Sequence, residues 1–127
     1  MASLTVELGS FGFKYGEESG HLVFDARFLP NPFYIDSLRP MTGKDKDCAD
    51  YVFSFPAAHK TLQLLKELIL TQAQGFMEQD KTRLDVWVGC TGGQHRSVAI
   101  IEALSKEIEA AGFSVSVRHR DIERAAL

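Results

Sequence analysis

The sequence predicts an α/β fold: a small, mostly parallel or mixed sheet with flanking helices in a single compact domain spanning residues 1–127. Three observations predict it. Leu4, Val6 and Leu8 alternate with Ser3, Thr5 and Glu7, the period-2 pattern of a half-buried strand. Leu84-Asp85-Val86-Trp87-Val88 is nearly all apolar, as befits a central strand covered on both faces. Helical periodicity brackets that run on either side, so strand and helix alternate and a right-handed βαβ unit follows.

Taken in order, the first strand runs into Gly9-Ser10-Phe11-Gly12-Phe13-Lys14-Tyr15-Gly16, where the glycine density predicts a shaped loop. Leu22-Val23-Phe24 is a second short apolar run, closed by Asp25-Ala26-Arg27. Two prolines in Phe28-Leu29-Pro30-Asn31-Pro32-Phe33-Tyr34 predict a stiff, extended segment, and Leu38-Arg39-Pro40-Met41-Thr42-Gly43 continues it as loop. From about Ala57 to Gln79, Leu62, Leu65, Ile69, Ala73 and Phe76 recur at three- and four-residue steps behind Pro56, which predicts an amphipathic helix. Val98, Ile101, Leu104, Ile108 and Ala111 mark a second helix stopped by Gly112. Phe113-Ser114-Val115-Ser116-Val117 alternates as a last strand, and Arg118-His119-Arg120-Asp121 leads into a short helical tail.

Composition narrows the function classes. With 45% hydrophobic and 24% charged residues, the chain can bury a core without cross-links. A net charge of −3 supplies no global field toward nucleic acid or an anionic membrane. Cys48 and Cys90 have no metal-type spacing, and His21, His59, His95 and His119 form neither HxxxH nor HExxH. No metal or other cofactor is expected. Without a leader or an apolar membrane span, a cytoplasmic protein with reduced thiols is the expectation.

The chemistry concentrates in Cys90-Thr91-Gly92-Gly93-Gln94-His95-Arg96-Ser97, between the apolar strand and the second helix. A helix start exposes unpaired N–H groups with partial positive charge, and Gly92 and Gly93 let backbone approach a ligand. Arg96 supplies a bidentate fork, Thr91 and Ser97 supply hydroxyls, and His95 a titratable donor. This combination predicts a site for a phosphorylated small molecule or inorganic anion. It does not fit GxxxxGK[ST]. Cys90-x-x-Gly93-x-x-Arg96-Ser97 does have the CxxGxxR[ST] spacing of Cys-dependent phosphatases, in which such a turn activates the sulfur as a nucleophile. That enzyme is the alternative, with Asp25 or Asp36 the only general acids to suggest. Against it, Gly89 stands where that signature usually has His.

Several blocks, in order, carry a family resemblance. They are Ser10 to Gly16, Val23-Phe24-Asp25-Ala26-Arg27-Phe28-Leu29-Pro30-Asn31-Pro32, Leu38 to Gly43, Gly89 to Val98, and Arg118-His119-Arg120-Asp121. Over nearly its whole length the chain resembles the C-terminal domain of the RNase adapter protein RapZ family, here as a stand-alone chain without the family's N-terminal P-loop domain. The resemblance implies a fold like a sugar-phosphate-binding subdomain and a bacterial metabolite sensor or adapter, without chemistry of its own, that binds glucosamine-6-phosphate. It implies that Thr91, Gly92, His95 and Arg96 hold the phosphate, and that Asp25 meets a hydroxyl or the amino group of the sugar. Without the resemblance, Asp25 reads equally well as a strand-end cap or an ion pair with Arg27. The family also implies oligomerisation and a small-RNA partner, for which Lys14, Arg118, Arg120 and Arg124 are the candidate contacts. Three departures bear on this. Phe33 replaces a His found in some members, and Gln94 a Lys. The tail Ile122-Glu123-Arg124-Ala125-Ala126-Leu127 lacks the basic cluster of RNA-binding members, so counterion-release affinity for RNA should be small. The aromatic-basic loop Phe11 to Tyr15 reads as a pocket cover or core contact ahead of a base-stacking surface.

Overall fold

The computed structural model describes residues 3–124. Four strands, β1 (Thr5–Gly12), β2 (Leu22–Asp25), β3 (Arg83–Cys90) and β4 (Ser114–His119), form one sheet in the order β2-β3-β1-β4. Every neighbouring pair is parallel. Three helices, α1 (Lys46–Phe53), α2 (Pro56–Glu78) and α3 (Arg96–Ala110), supply the crossovers. The expected α/β domain is present, and its sheet is wholly parallel.

Alternation along the strands decides which face each residue serves. Leu4, Val6 and Leu8 of the β1 segment and Leu84, Val86 and Val88 of β3 point to one face. There they meet Ala58, Leu65, Ile69 and Ala73 of α2 and Ile100, Ile101, Leu104 and Ile108 of α3. The intervening residues face the other way, where Gly9, Trp87 and Arg118 stand in one cross-strand row. No helix lies over that row among the described residues. Trp87 is nonetheless only 5% exposed, because Phe11 meets it edge-on and the Arg118 guanidinium lies 4.4 Å from its ring centre.

Where sequence and structure differ, packing supplies the reason. β1 continues through Gly9 to Gly12 instead of ending in a loop at Gly9. Gly9 is there because Trp87 crosses it: an added Cβ would stand 2.4 Å from the indole. The Phe28–Tyr34 segment is not simply extended. Pro32–Tyr34 forms a 3₁₀ turn whose start is capped by the Asn31 side chain, which accepts from the Phe33 N–H at 3.1 Å. Helix α1 has no counterpart in the sequence expectation. The tail expected to be helical is a turn from Arg120 to Glu123, and Ala125 to Leu127 lie outside the described residues.

The turn after β4 is tied to the end of β1. Asp121, fully buried, accepts from the Gly12 N–H at 2.8 Å and from Arg120 and Arg124. Burial alone would push its carboxyl up, but these donors outweigh burial and hold it below its ordinary value of 3.8. A carboxyl depressed on folding stabilises the protein above its unfolded value and loses that contribution as pH falls through the folded value. Thermal melts should therefore show stability declining below about pH 4 in the wild type. Asp121→Asn should be less stable at pH 7 by about 1–3 kcal/mol and show a flatter acid limb.

Candidate functional site

Two central strands, β1 and β3, end side by side, and the chain leaves β3 through a turn packed directly on β1. Gly93 adopts φ +76° there, and a Cβ on it would lie 2.5 Å from the Gly12 nitrogen. Helix α3 starts at Arg96 with His95 at its N-cap, whose side chain makes no capping hydrogen bond. The N–H groups of Gly92 to His95 donate to no protein acceptor among the described residues. Unpaired N–H groups at the start of a 15-residue helix carry partial positive charge.

In front of these groups lies a cavity of about 190 Å³. Thr91, Gly92, His95 and Arg96, four of the residues expected at an anion site, line it together with Cys90. Arg96 is only 4% exposed. Its Nη1 donates to the carbonyls of Arg27 and Leu29, both at 2.9 Å, and Nη2 lies 3.4 Å from the Thr91 hydroxyl. Its Nε has no partner.

His95 holds the turn in place. Its Nε2 donates to the Arg39 carbonyl at 3.1 Å. Burial holds its pKa below the ordinary 6.5, so the imidazole is neutral at pH 7 and adds no charge to the cavity. Gly93 and Ser97 do not line the cavity. Gly93 packs on β1, and the Ser97 hydroxyl lies 3.1 Å from the Cys90 sulfur, both groups being buried.

Asp25 also stays outside the cavity wall. It is bound bidentately by Arg27, with contacts from 2.6 to 3.1 Å, and both side chains are about half exposed. The Arg27 hydrogen bonds lower its pKa, with a further contribution from the charge of Arg96. Asp36, the other acid considered for the enzyme alternative, pairs with Arg39 at 3.0 Å. It lines a separate hollow of about 380 Å³, which shares Gln94 with the first cavity.

The rest of the wall comes from residues the sequence reading did not assign to an anion site. Lys14, two residues past the end of β1, and Asn31, Phe33 and Tyr34, at the Pro32–Tyr34 turn, complete the lining. Gln94 lines it too, while its carboxamide donates to the Arg124 carbonyl. The wall thus contains two cations and no carboxylate. Phe33 stands in it as an apolar surface.

The arginines considered for RNA are largely committed within the protein. Arg120 binds Glu18 at 2.9 Å, Asp121 at 2.8 Å, and the carbonyls of Gly12 and Gly16. Arg124 pairs with Asp121 at 2.8 Å over the Tyr15 ring. Arg118 lies on Trp87. No cluster of three or more metal-ligating side chains occurs among the described residues, and no described helix is long and apolar enough to cross a membrane.

The RapZ C-terminal domain family matches residues 4–123. The chain belongs to that family. Among its relatives, a protein of Caldicellulosiruptor bescii named nucleotide-binding protein is 46% identical over 123 residues, covering 96% of this chain and 42% of the relative. Proteins of the same description from Bifidobacterium adolescentis (45% identical) and Bacillus cytotoxicus (46%) match over 96% and 94% of this chain, and 40% and 41% of their own length. This RapZ C-terminal domain therefore spans about two fifths of the relatives it matches. The cavity lies within the matched region.

Proposed function

We propose that this RapZ C-terminal domain is a non-catalytic sensor or adapter whose cavity binds the phosphate of a small phosphosugar, of the glucosamine-6-phosphate class. One observation carries the reading: the buried Arg96 lines the same cavity as the start of α3, whose N–H groups from Gly92 to His95 have no protein acceptor among the described residues. A phosphoryl group there supplies acceptors to those N–H groups, beside the Arg96 side chain and at the positive end of the helix. A volume of about 190 Å³ accommodates one phosphorylated monosaccharide, below the range of sites for drug-sized ligands. Thr91, Gly92 and Arg96 hold the phosphate, with Lys14 as a second cation. Gly93, His95 and Ser97 shape the turn.

Asp25 enters this scheme through exchange. Its ion pair with Arg27 is half exposed, and pairs of that kind contribute about 0–1 kcal/mol. A ligand ammonium can take the place of the guanidinium at that cost. A small-RNA or protein adapter role and self-association rest on the family, and a cytoplasmic setting rests on two cysteines expected to stay reduced. For RNA, Lys14 and Arg118, neither paired with a carboxylate among the described residues, are the available contacts.

Calorimetric titration with inorganic phosphate and glucosamine-6-phosphate tests the reading. Both should bind, the sugar phosphate more tightly, and Arg96→Lys, which keeps the charge and loses the planar fork, should weaken both about tenfold or more. Equal binding by wild type and Arg96→Lys would show that Arg96 is not a ligand.

A further inference from the structure

Resting on that anion-site reading, we propose that the segment from Arg120 to Arg124 is a latch on the cavity, so that phosphate binding and docking of this segment are one coupled equilibrium. The segment bonds to both the α3 side and the β1 side of the site. On the α3 side, the Gln94 carboxamide donates to the carbonyls of Asp121 and Arg124. Gln94 lies within the Gly92–His95 run whose N–H groups lack a protein acceptor, and it lines the cavity. On the β1 side, the Asp121 carboxylate accepts from the Gly12 N–H at 2.8 Å. Arg120 donates to the carbonyls of Gly12 at 3.2 Å and Gly16 at 2.8 Å, and the Arg124 guanidinium lies 4.2 Å from the Tyr15 ring centre. These contacts bracket Lys14, the second cation of the wall. Beyond the β1–β3 ladder, one backbone hydrogen bond joins the two sides directly among the described residues, from the Lys14 N–H to the Thr91 carbonyl at 3.2 Å.

The latch has two states for a physical reason. Asp121 is fully buried, and its donors are Gly12, Arg120 and Arg124. A buried carboxylate that lost part of this set would be strongly disfavoured, so the segment releases into water as a unit. Little apolar burial holds it down: Ile122 is half-buried, and Glu123 and Arg124 are exposed. Segments held in this way open locally at free energies below that of global unfolding.

Release strips the Gln94 carboxamide of both acceptors and frees the loop that carries Lys14. The N–H groups of the turn and the Lys14 cation then lose their common anchor. Phosphate, which uses both, favours the docked state. By linkage, docking raises phosphate affinity by the same factor by which phosphate favours docking. Occupancy of the cavity is thereby reported by a segment on the protein surface.

The test follows amide hydrogen exchange by NMR on the full chain, with and without inorganic phosphate. The Gly12 and Arg124 amides, bonded to the Asp121 side chain and carbonyl, report on the latch. The Gly112 amide, bonded to Glu109 at the far end of α3, is the reference. Saturating phosphate should slow exchange at Gly12 and Arg124 about fivefold or more and leave Gly112 unchanged. Arg124→Ala removes the Asp121 pair and the Tyr15 contact without touching the anion cavity, which Arg124 does not line. Calorimetry should show its phosphate affinity reduced about fivefold or more. Slowing at Gly12 and Arg124 no greater than at Gly112 overturns the proposal, as does wild-type affinity in Arg124→Ala. A wild type that binds no phosphate in the calorimeter overturns the anion-site reading itself, and the coupling falls with it.

Discussion

Gly93→Ala is expected to destabilise the domain by about 3–5 kcal/mol, combining strain at positive φ with overpacking against backbone. The residue sits at φ +76°, and its added Cβ would stand 2.5 Å from the Gly12 nitrogen and 2.7 Å from the Phe11 carbonyl carbon. Those atoms belong to a central strand and cannot swing aside as a flexible side chain would. The turn must move instead, taking with it the N–H groups and Arg96 that face the cavity. Urea unfolding should show the loss as a lower midpoint with an unchanged slope. Phosphate binding to the folded fraction should also be lost. A variant as stable as wild type would mean that the turn does not lie against β1.

Trp87→Ala carries the second large effect, about 3–5 kcal/mol, the range for removing a buried large aromatic. No helix covers that side of the sheet among the described residues, so Trp87 does much of the work of closing it. The indole fills the space over Gly9, meets Phe11 with ring centres 6.0 Å apart and lies beneath Arg118. Its removal opens a hollow that a rigid central strand cannot collapse to fill. Because the site lies beyond the strand ends, the folded variant should still bind phosphate. The stability loss is measured by the same denaturant titration. A loss under about 1 kcal/mol would mean that the surrounding side chains repack freely.

Much of the fold could be read from local pattern. The unit from Leu84 to Val117 was legible because each of its elements carries a full period of its own, and Gly112 marks a boundary. Helix α2 was legible for the same reason, with Pro56 at its start. β1 was read too short because the glycines at 9 and 12 look like loop residues on their own. Their reasons, Trp87 above one and the Gly92–Gly93 backbone against the other, lie far along the chain. Helix α1 is eight residues long and buries only Cys48 and Val52, a single i,i+4 pair, which is too little periodicity to stand out.

The site divides in the same way. Its α3 side is one continuous segment, so Thr91, Gly92, His95 and Arg96 could be named from spacing. Lys14, Asn31, Phe33 and Tyr34 reach the cavity only because β1 and the 3₁₀ turn bring them there. Arg96 was nominated as a ligand, yet half of its fork secures Arg27 and Leu29, a structural task that no local pattern announces. Asp25 was correctly placed at a strand end. Its partner Arg27, two residues on, sets where the carboxylate points, and the sequence left that pairing as one of two readings.

The central claim is that the turn after β3 is the anion site, and an amide NMR titration with inorganic phosphate tests it most directly. The resonances of Thr91 to Ser97 should shift in a saturable manner, those of Gly92 to His95 downfield as their N–H groups gain an acceptor. The Arg96 Nε–H resonance should move with the same binding curve. Saturable shifts confined to other residues, or none at Gly92 to His95 and Arg96 Nε at saturating phosphate, would contradict it.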